Sequence, residues 1–206
     1  MKLPKIILAI FFLQSFQFAN TELPIGFLPE ELDKKHIIRE MQNRSTPPPS
    51  PIRNISEFER MQGVVIRYPF GITTSLIKEM SEDVTVYCLV SSNNQNSAYN
   101  SMNNADVNMD NVEFISGNTD SYWTRDYGPW WVVDGNNDVS VVDHTYNRPR
   151  PNDNQAPLKL ANHLDTPYFE SGLITAGGNY MTDGLGIGAS SDLIYDENDD
   201  MSVNEV

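Results

Sequence analysis

Short apolar runs alternate with polar, helix-like stretches from Gly63 onward, and that rhythm sets the first expectations. Gly63-Val-Val-Ile-Arg-Tyr68 is an apolar run bounded by glycine and Pro69, which predicts a strand. Thr73-Thr-Ser-Leu-Ile-Lys-Glu-Met80 predicts a short helix capped by Thr or Ser. Val84 to Val90 predicts the next strand, Gln95 to Ala105 a polar helix and Val112 to Ile115 a third strand. Strand and helix in alternation place the chain in the α/β class, with a sheet covered by helices.

Beyond Pro129 the rhythm changes. Trp130-Trp-Val-Val133 and Val139-Ser-Val-Val-Asp143 flank Asp134-Gly-Asn-Asn-Asp138, which predicts a hairpin with Asp-Gly turn chemistry. Gln155 to Leu164 predicts a helix. Tyr168-Phe169, Ile174-Thr175, Tyr180-Met-Thr182 and Gly186 to Ser190 read as short strand pieces between Gly-rich turns. Upstream, Pro29 to Gln42 is weakly amphipathic and predicts a helix, and Thr46-Pro-Pro-Pro-Ser-Pro51 forces an extended linker. Residues 21–52 are thus expected to be a lead-in arm outside the core, and residues 53–206 the domain proper.

The N-terminus modifies this picture. Lys2 and Lys5 precede the apolar run Ile6 to Leu13 and a polar stretch with the small Ala19, the pattern of a secretory signal peptide over residues 1–20. The run is well short of the roughly 20 residues a membrane span needs. Its removal would take two lysines and no acid, moving the formal charge from −14 to −16. That balance argues against nucleic acid and anionic membranes as partners and suits a cationic substrate. An acidic surface is also an ordinary solubility feature. The single Cys88 cannot form an internal disulfide, and its apolar strand predicts a core thiol. The histidines 36, 144 and 163 have no metal-ligand spacing and there is no Cys cluster, so neither a metal nor a cofactor is expected. Gly177-Gly178 and Gly184-Leu-Gly-Ile-Gly188 lack the strand-to-helix context of a phosphate cradle and predict tight turns.

The chemistry concentrates in Ser121-Tyr-Trp-Thr-Arg-Asp-Tyr-Gly-Pro-Trp130. This run sets the carboxylate of Asp126 among flat apolar side chains, as a site for a planar cation such as a guanidinium requires. From spacing alone, Asp126 either holds such a cation or pairs with Arg125 to close a turn. Trp123 either stacks on a ligand or is an ordinary core aromatic. Arg148 and Arg150 lie two apart in a Pro-locked loop, where extended backbone would point both the same way. Two such forks suit a carboxylate, the alternative being a solvated basic loop.

Trp123-Thr-Arg-Asp-Tyr-Gly-Pro129, followed by Tyr146-Asn-Arg-Pro-Arg-Pro-Asn-Asp153 and Gly177-Gly-Asn-Tyr-Met-Thr-Asp-Gly184, resembles the bacterial peptidylarginine deiminase and agmatine deiminase family, and within it the Porphyromonas type. The resemblance covers about residues 52 to 198. It implies a pentein-type α/β propeller of ββαβ modules, of which the chain would hold the first two or three. It implies that Asp126 accepts N–H bonds from the substrate guanidinium and that Trp123 lines the pocket. By the same resemblance Arg148 and Arg150 read the free α-carboxylate of a C-terminal arginine. The family's acid/base lies in a His-x-Asp element and its nucleophile is a late Cys, and the expectation is that neither is in this chain. His144 is followed by Thr145-Tyr146, and Cys88 lies upstream of the Asp126 motif. Agmatine-type members carry Glu before Gly-Gly-Asn, whereas Ala176 stands there.

The resulting expectation is an exported hydrolase making citrulline and ammonia from peptidyl arginine, present as an N-terminal portion inactive alone. Agmatine deiminase is the close alternative, and a non-catalytic domain binding arginine-containing peptides the alternative from another class. Ser202-Val-Asn-Glu205 matches a capping box that opens a helix, which adds to the expectation that the chain is a truncated product.

Overall fold

The computed structural model describes residues 23–206, so the expected signal peptide lies outside the described residues. The arm forms two short helices, α1 (Pro29–Leu32) and α2 (His36–Met41), where one was expected. They are parted by a turn in which the Lys34 N–H donates to Glu31 O, three residues back, interrupting the α-helical ladder. The arm is not detached from the core. Ile38 and Glu31 are buried, and Arg44 pairs as an isolated bridge with Ser171. The proline linker leads into β1 (Arg53–Asn54).

Next come β2 (Gly63–Arg67), α3 (Thr74–Asp83), β3 (Thr85–Val90), α4 (Gln95–Asn103) and β4 (Val112–Ser116). The three strands form a parallel sheet in the order β2-β3-β4. Thr73 caps α3 by accepting the Leu76 N–H. The central strand reads as a continuous apolar run because both its faces are covered. Val86, Cys88 and Val90 pack with Ile77 of α3 and with Ala98 and Met102 of α4. Tyr87 and Leu89, on the opposite face, pack with Tyr127, Tyr146, Ala156 and Leu160.

The second half starts with the one-turn helix α5 (Thr124–Tyr127) and continues through β5 (Trp130–Val133), β6 (Val139–Tyr146), α6 (Pro151–Asn154), α7 (Ala156–His163) and β7 (Tyr168–Thr175). These strands order as β1-β5-β6-β7. β5 and β6 are antiparallel, and β6 is parallel to β7 across the two helices, which makes one ββαβ unit. Its hairpin differs from the expected Asp-Gly turn. The left-handed residue is Asn137 (φ 67°), and Asp134 Oδ1 accepts the N–H groups of Asn136 and Asp138. Gly135 serves instead for close approach, since a Cβ there would lie 2.1 Å from Ser50 O.

β7 is one strand where separate pieces were expected. A register shift opposite Asp143 and Thr145, with Gly172 at φ 78°, interrupts its alternation. A hairpin of β8 (Met181–Thr182) and β9 (Gly188–Ala189) and a short helix α8 (Leu193–Glu197) follow. At Ser202 both N–H and Oγ meet Glu205 Oε2, closing a turn. No helix among the described residues is long and apolar enough to cross a membrane.

Candidate functional site

The three sequence motifs converge on the junction between the two sheets, and two aspartates hold them there. Asp153, fully buried, accepts from Ser121 Oγ (2.6 Å), Ser121 N (3.1 Å) and Asp120 N (2.6 Å). Asp120 in turn accepts from Asn152 N and Nδ2 at 2.9 and 2.7 Å. Burial pushes the Asp153 carboxyl up to about 6 even though these donors pull it down. Tyr127 OH donates to Ser121 O, and its ring meets Tyr146 edge-on. Asn154 Oδ1 caps the Tyr146 N–H. The loop before α5 and the loop before α6 are therefore one rigid piece.

Asp126 sits on that piece and is braced from behind by the glycine motif. A Cβ at Gly177 would come within 2.7 Å of Arg125 O, and one at Gly178 within 3.0 Å of Asp126 Oδ1. Only glycine lets the backbone approach this closely. His144 is buried, stacks on Trp130 (ring centroids 4.6 Å apart) and faces Asp126 O across 3.0 Å from Nε2. Because a carbonyl only accepts, Nε2 carries the proton. Burial holds the ring's pKa down to about 4, so the imidazole is neutral and structural. The Asp126 carboxylate is half-buried and has no hydrogen-bond partner among the described residues. Burial pushes its pKa above the ordinary value, while Arg148, then Arg125 and Arg150, act against that shift. Arg125 does not take Asp126 as its partner: it is exposed and pairs with Glu57. A half-buried carboxylate on a fixed backbone, with its acceptor sites unfilled, is equipped to receive a forked cation.

The other predicted residues divide. Trp123 is half-buried beside Tyr122, and its Nε1 donates to Leu23 O at 2.9 Å. Arg148 is half-buried, donates from Nε to Ile25 O and from Nη1 to Asn147 O, and lies 4.5 Å over the Phe27 ring. Arg150 does not share that setting, which corrects the expectation of a matched pair. Its side chain is 1% exposed and engages Glu31 through Nε–Oε1 (2.8 Å) and Nη2–Oε2 (3.2 Å). The physical reason lies in the backbone: Arg150 N donates to Arg148 O at 2.7 Å, a three-residue turn about Pro149. The same-face rule holds for extended chain and fails across such a turn.

Cys88 is fully buried, and desolvation pushes its thiol up to about 12. One His-x-Asp spacing does occur, His163-Leu164-Asp165, contrary to the expectation that the chain has none. Its His163 pairs with Glu113 of β4 at 2.7 Å and meets Tyr87 edge-on, so its partners lie outside the Asp126 loop. Asp165 is a left-handed residue (φ 50°) in the turn after α7. A cavity of about 490 Å³ bordered by Trp130, Val132, Phe169 and Tyr180 does not include Asp126, Trp123, Arg148 or Arg150 in its lining.

Residues 59–205 match the family of Porphyromonas-type peptidyl-arginine deiminases. Over 91 residues the chain is 32% identical to an agmatine deiminase of Ectopseudomonas mendocina (strain ymp), covering 37% of this chain and 24% of that protein. Among solved structures it resembles an agmatine deiminase of Enterococcus faecalis (TM-score 0.65, 16% identity, 79% of this chain and 51% of that one). It also resembles a Porphyromonas gingivalis protein assigned as an arginine deiminase (TM-score 0.63, 12% identity, 75% of this chain and 52% of that one). The fold is the pentein-type α/β fold of these deiminases. The chain spans about half the length of the solved relatives and about a quarter of the curated one.

Proposed function

Because the chain belongs to the Porphyromonas-type peptidyl-arginine deiminase family, we propose that it is the guanidinium-holding part of a hydrolase that converts peptidyl arginine to citrulline. In that reaction one guanidinium nitrogen leaves as ammonia and water supplies the oxygen that replaces it. Asp126 accepts two N–H bonds of the guanidinium and keeps it cationic. Trp123 walls the pocket, and Arg148 attracts the α-carboxylate of an arginine at a peptide's C-terminus. The observation that carries this reading is the Asp126 carboxylate, half-buried, without a hydrogen-bond partner among the described residues and within the field of Arg148.

The same observation favours an arginine-ending peptide over agmatine. A cation facing the site attracts a ligand that has both a guanidinium and a carboxylate, and offers nothing to agmatine, which lacks the carboxylate. Ala176 in place of the agmatine-type Glu points the same way. Export through residues 1–20 belongs to this proposal and would bring the enzyme to extracellular peptides.

The experiment uses a protein spanning the relatives' full length. Citrulline formation from benzoyl-arginine is expected to exceed turnover of benzoyl-argininamide and of agmatine. Asp126→Asn is expected to depress all three by on the order of 100-fold or more. Preferential turnover of agmatine would transfer the assignment to the smaller amine. The 206-residue chain alone is expected to form no citrulline, because a fully buried thiol held near pKa 12 supplies no thiolate. Activity lost on Cys88→Ser would overturn that.

A further inference from the structure

Residues 23–31 lie across the site in the manner of a bound peptide. Four successive carbonyls of this segment accept from site residues. Leu23 O takes Trp123 Nε1 (2.9 Å), Ile25 O takes Arg148 Nε (2.9 Å), and Pro24 O and Gly26 O take Arg150 Nη2 (2.8 and 3.1 Å). At its end, Glu31 meets the Arg150 guanidinium fork to fork. Glu31 is fixed in turn by the Leu28 N–H, which donates to its Oε2 at 2.8 Å. The side chains of Arg150 and Glu31 are 1% and 8% exposed. No carboxylate from solution reaches Arg150 while this segment is seated, and two carboxylates cannot occupy one buried fork.

We infer that Glu31 is a built-in carboxylate ligand of Arg150 and a specificity-determining residue of the site, in place of the substrate carboxylate that Arg150 was expected to share with Arg148. With the arm seated, Arg148 alone serves a substrate anion, and Arg150 acts as a positioning residue that clamps the arm. This rests on the arginine-substrate reading only for the identity of the ligand that is displaced. The occupancy of Arg150 stands independently of it.

The test uses the whole 206-residue chain. Arginine modification by phenylglyoxal, followed residue by residue by mass spectrometry, is run on wild type, Glu31→Gln and Glu31→Asp. Wild-type Arg150 is expected to react at least about tenfold more slowly than the exposed Arg125. Glu31→Gln, which keeps the shape and removes the charge, is expected to raise the Arg150 rate about tenfold, and Glu31→Asp less. Hippurate, which has a carboxylate and no guanidinium, should then protect Arg150 in Glu31→Gln and leave the wild-type rate unchanged. Benzoyl-arginine should gain affinity over benzoyl-argininamide by about tenfold in the same variant. Wild-type Arg150 reacting as fast as Arg125 would show that the arm is not seated and would overturn the inference even if every variant failed to fold. A freed Arg150 that hippurate does not protect would overturn the specificity role. If hippurate protects but neither arginine ligand binds any variant, the guanidinium reading fails and the Glu31 assignment stands.

Discussion

Two carboxylates border the same arginine pair and meet opposite fates. Glu31, on the arm, is buried with two hydrogen bonds from Arg150 and one from the Leu28 backbone. Asp126, on the junction between the sheets, is half-buried and receives none from the described residues. Their titration follows the difference. Burial alone would raise both, but Glu31 is drawn below its ordinary pKa by Arg150 and the Leu28 N–H, whereas Asp126 stays above its own. A carboxylate whose partners come from the chain stabilises the fold, and one placed on a rigid backbone without partners is available to a ligand.

The largest expected effect comes from breaking the satisfied side. Arg150→Ala leaves Glu31 buried without its cation and is expected to cost about 3–5 kcal/mol of stability by chemical denaturation, whereas Asp126→Asn should be nearly neutral. Equal losses would erase the distinction between the two. Asp153→Ala, which removes the acceptor of Ser121 and Asp120, is expected to cost about 1–3 kcal/mol and to loosen the Asp126 loop with it.

The pH dependence of stability sharpens the same contrast, through Glu31 and the buried Asp143. Asp143 is raised to about 7, chiefly by burial, so the folded chain binds a proton more readily than the unfolded one. Its contribution therefore makes stability rise as pH falls from about 7 toward the ordinary carboxylate range. Glu31 has the opposite sign. Its folded pKa is depressed, so its contribution is present above its unfolded value of 4.5 and is lost as pH falls through the lower folded value. Melting curves should show a gain on mild acidification that Asp143→Asn removes, and a loss at stronger acidity that Glu31→Gln reduces. A small stability change is expected for Arg148→Ala, whose hydrogen bonds are to carbonyls at a half-buried position. Its effect should appear instead as a loss of preference for benzoyl-arginine over its amide.

Local pattern carried much of this organisation. The strands from Gly63 to Ser116 were legible because each is an apolar run, and the buried Cys88 followed from its place in one of them. β7 was legible only in pieces, because the register shift opposite Asp143 and Thr145 breaks the two-residue alternation that marks a strand. At the site, the aromatic-acidic run and its family resemblance singled out Asp126 and Trp123, whose roles belong to the proposed function. The fate of Arg150 was not. It depends on a turn at Pro149 and on Glu31, far away in sequence, and no local pattern signals that pairing. The lock of Asp153 on Ser121 is also long-range, although a second acidic residue after the proline-rich loop was a visible hint.

The account's central claim is that Asp126 receives the guanidinium, and the titration of that one carboxyl tests it most directly. Carbon-detected NMR of the chain labelled at aspartate carboxyls, assigned with Asp126→Asn, gives the Asp126 pKa in the free protein and in the presence of benzoyl-arginine. The account predicts a value above the ordinary 3.8 in the free chain, falling when the ligand's cation binds, because an adjacent positive charge favours the ionised form. An Asp126 pKa that does not move, under conditions where benzoyl-arginine demonstrably binds, would contradict it.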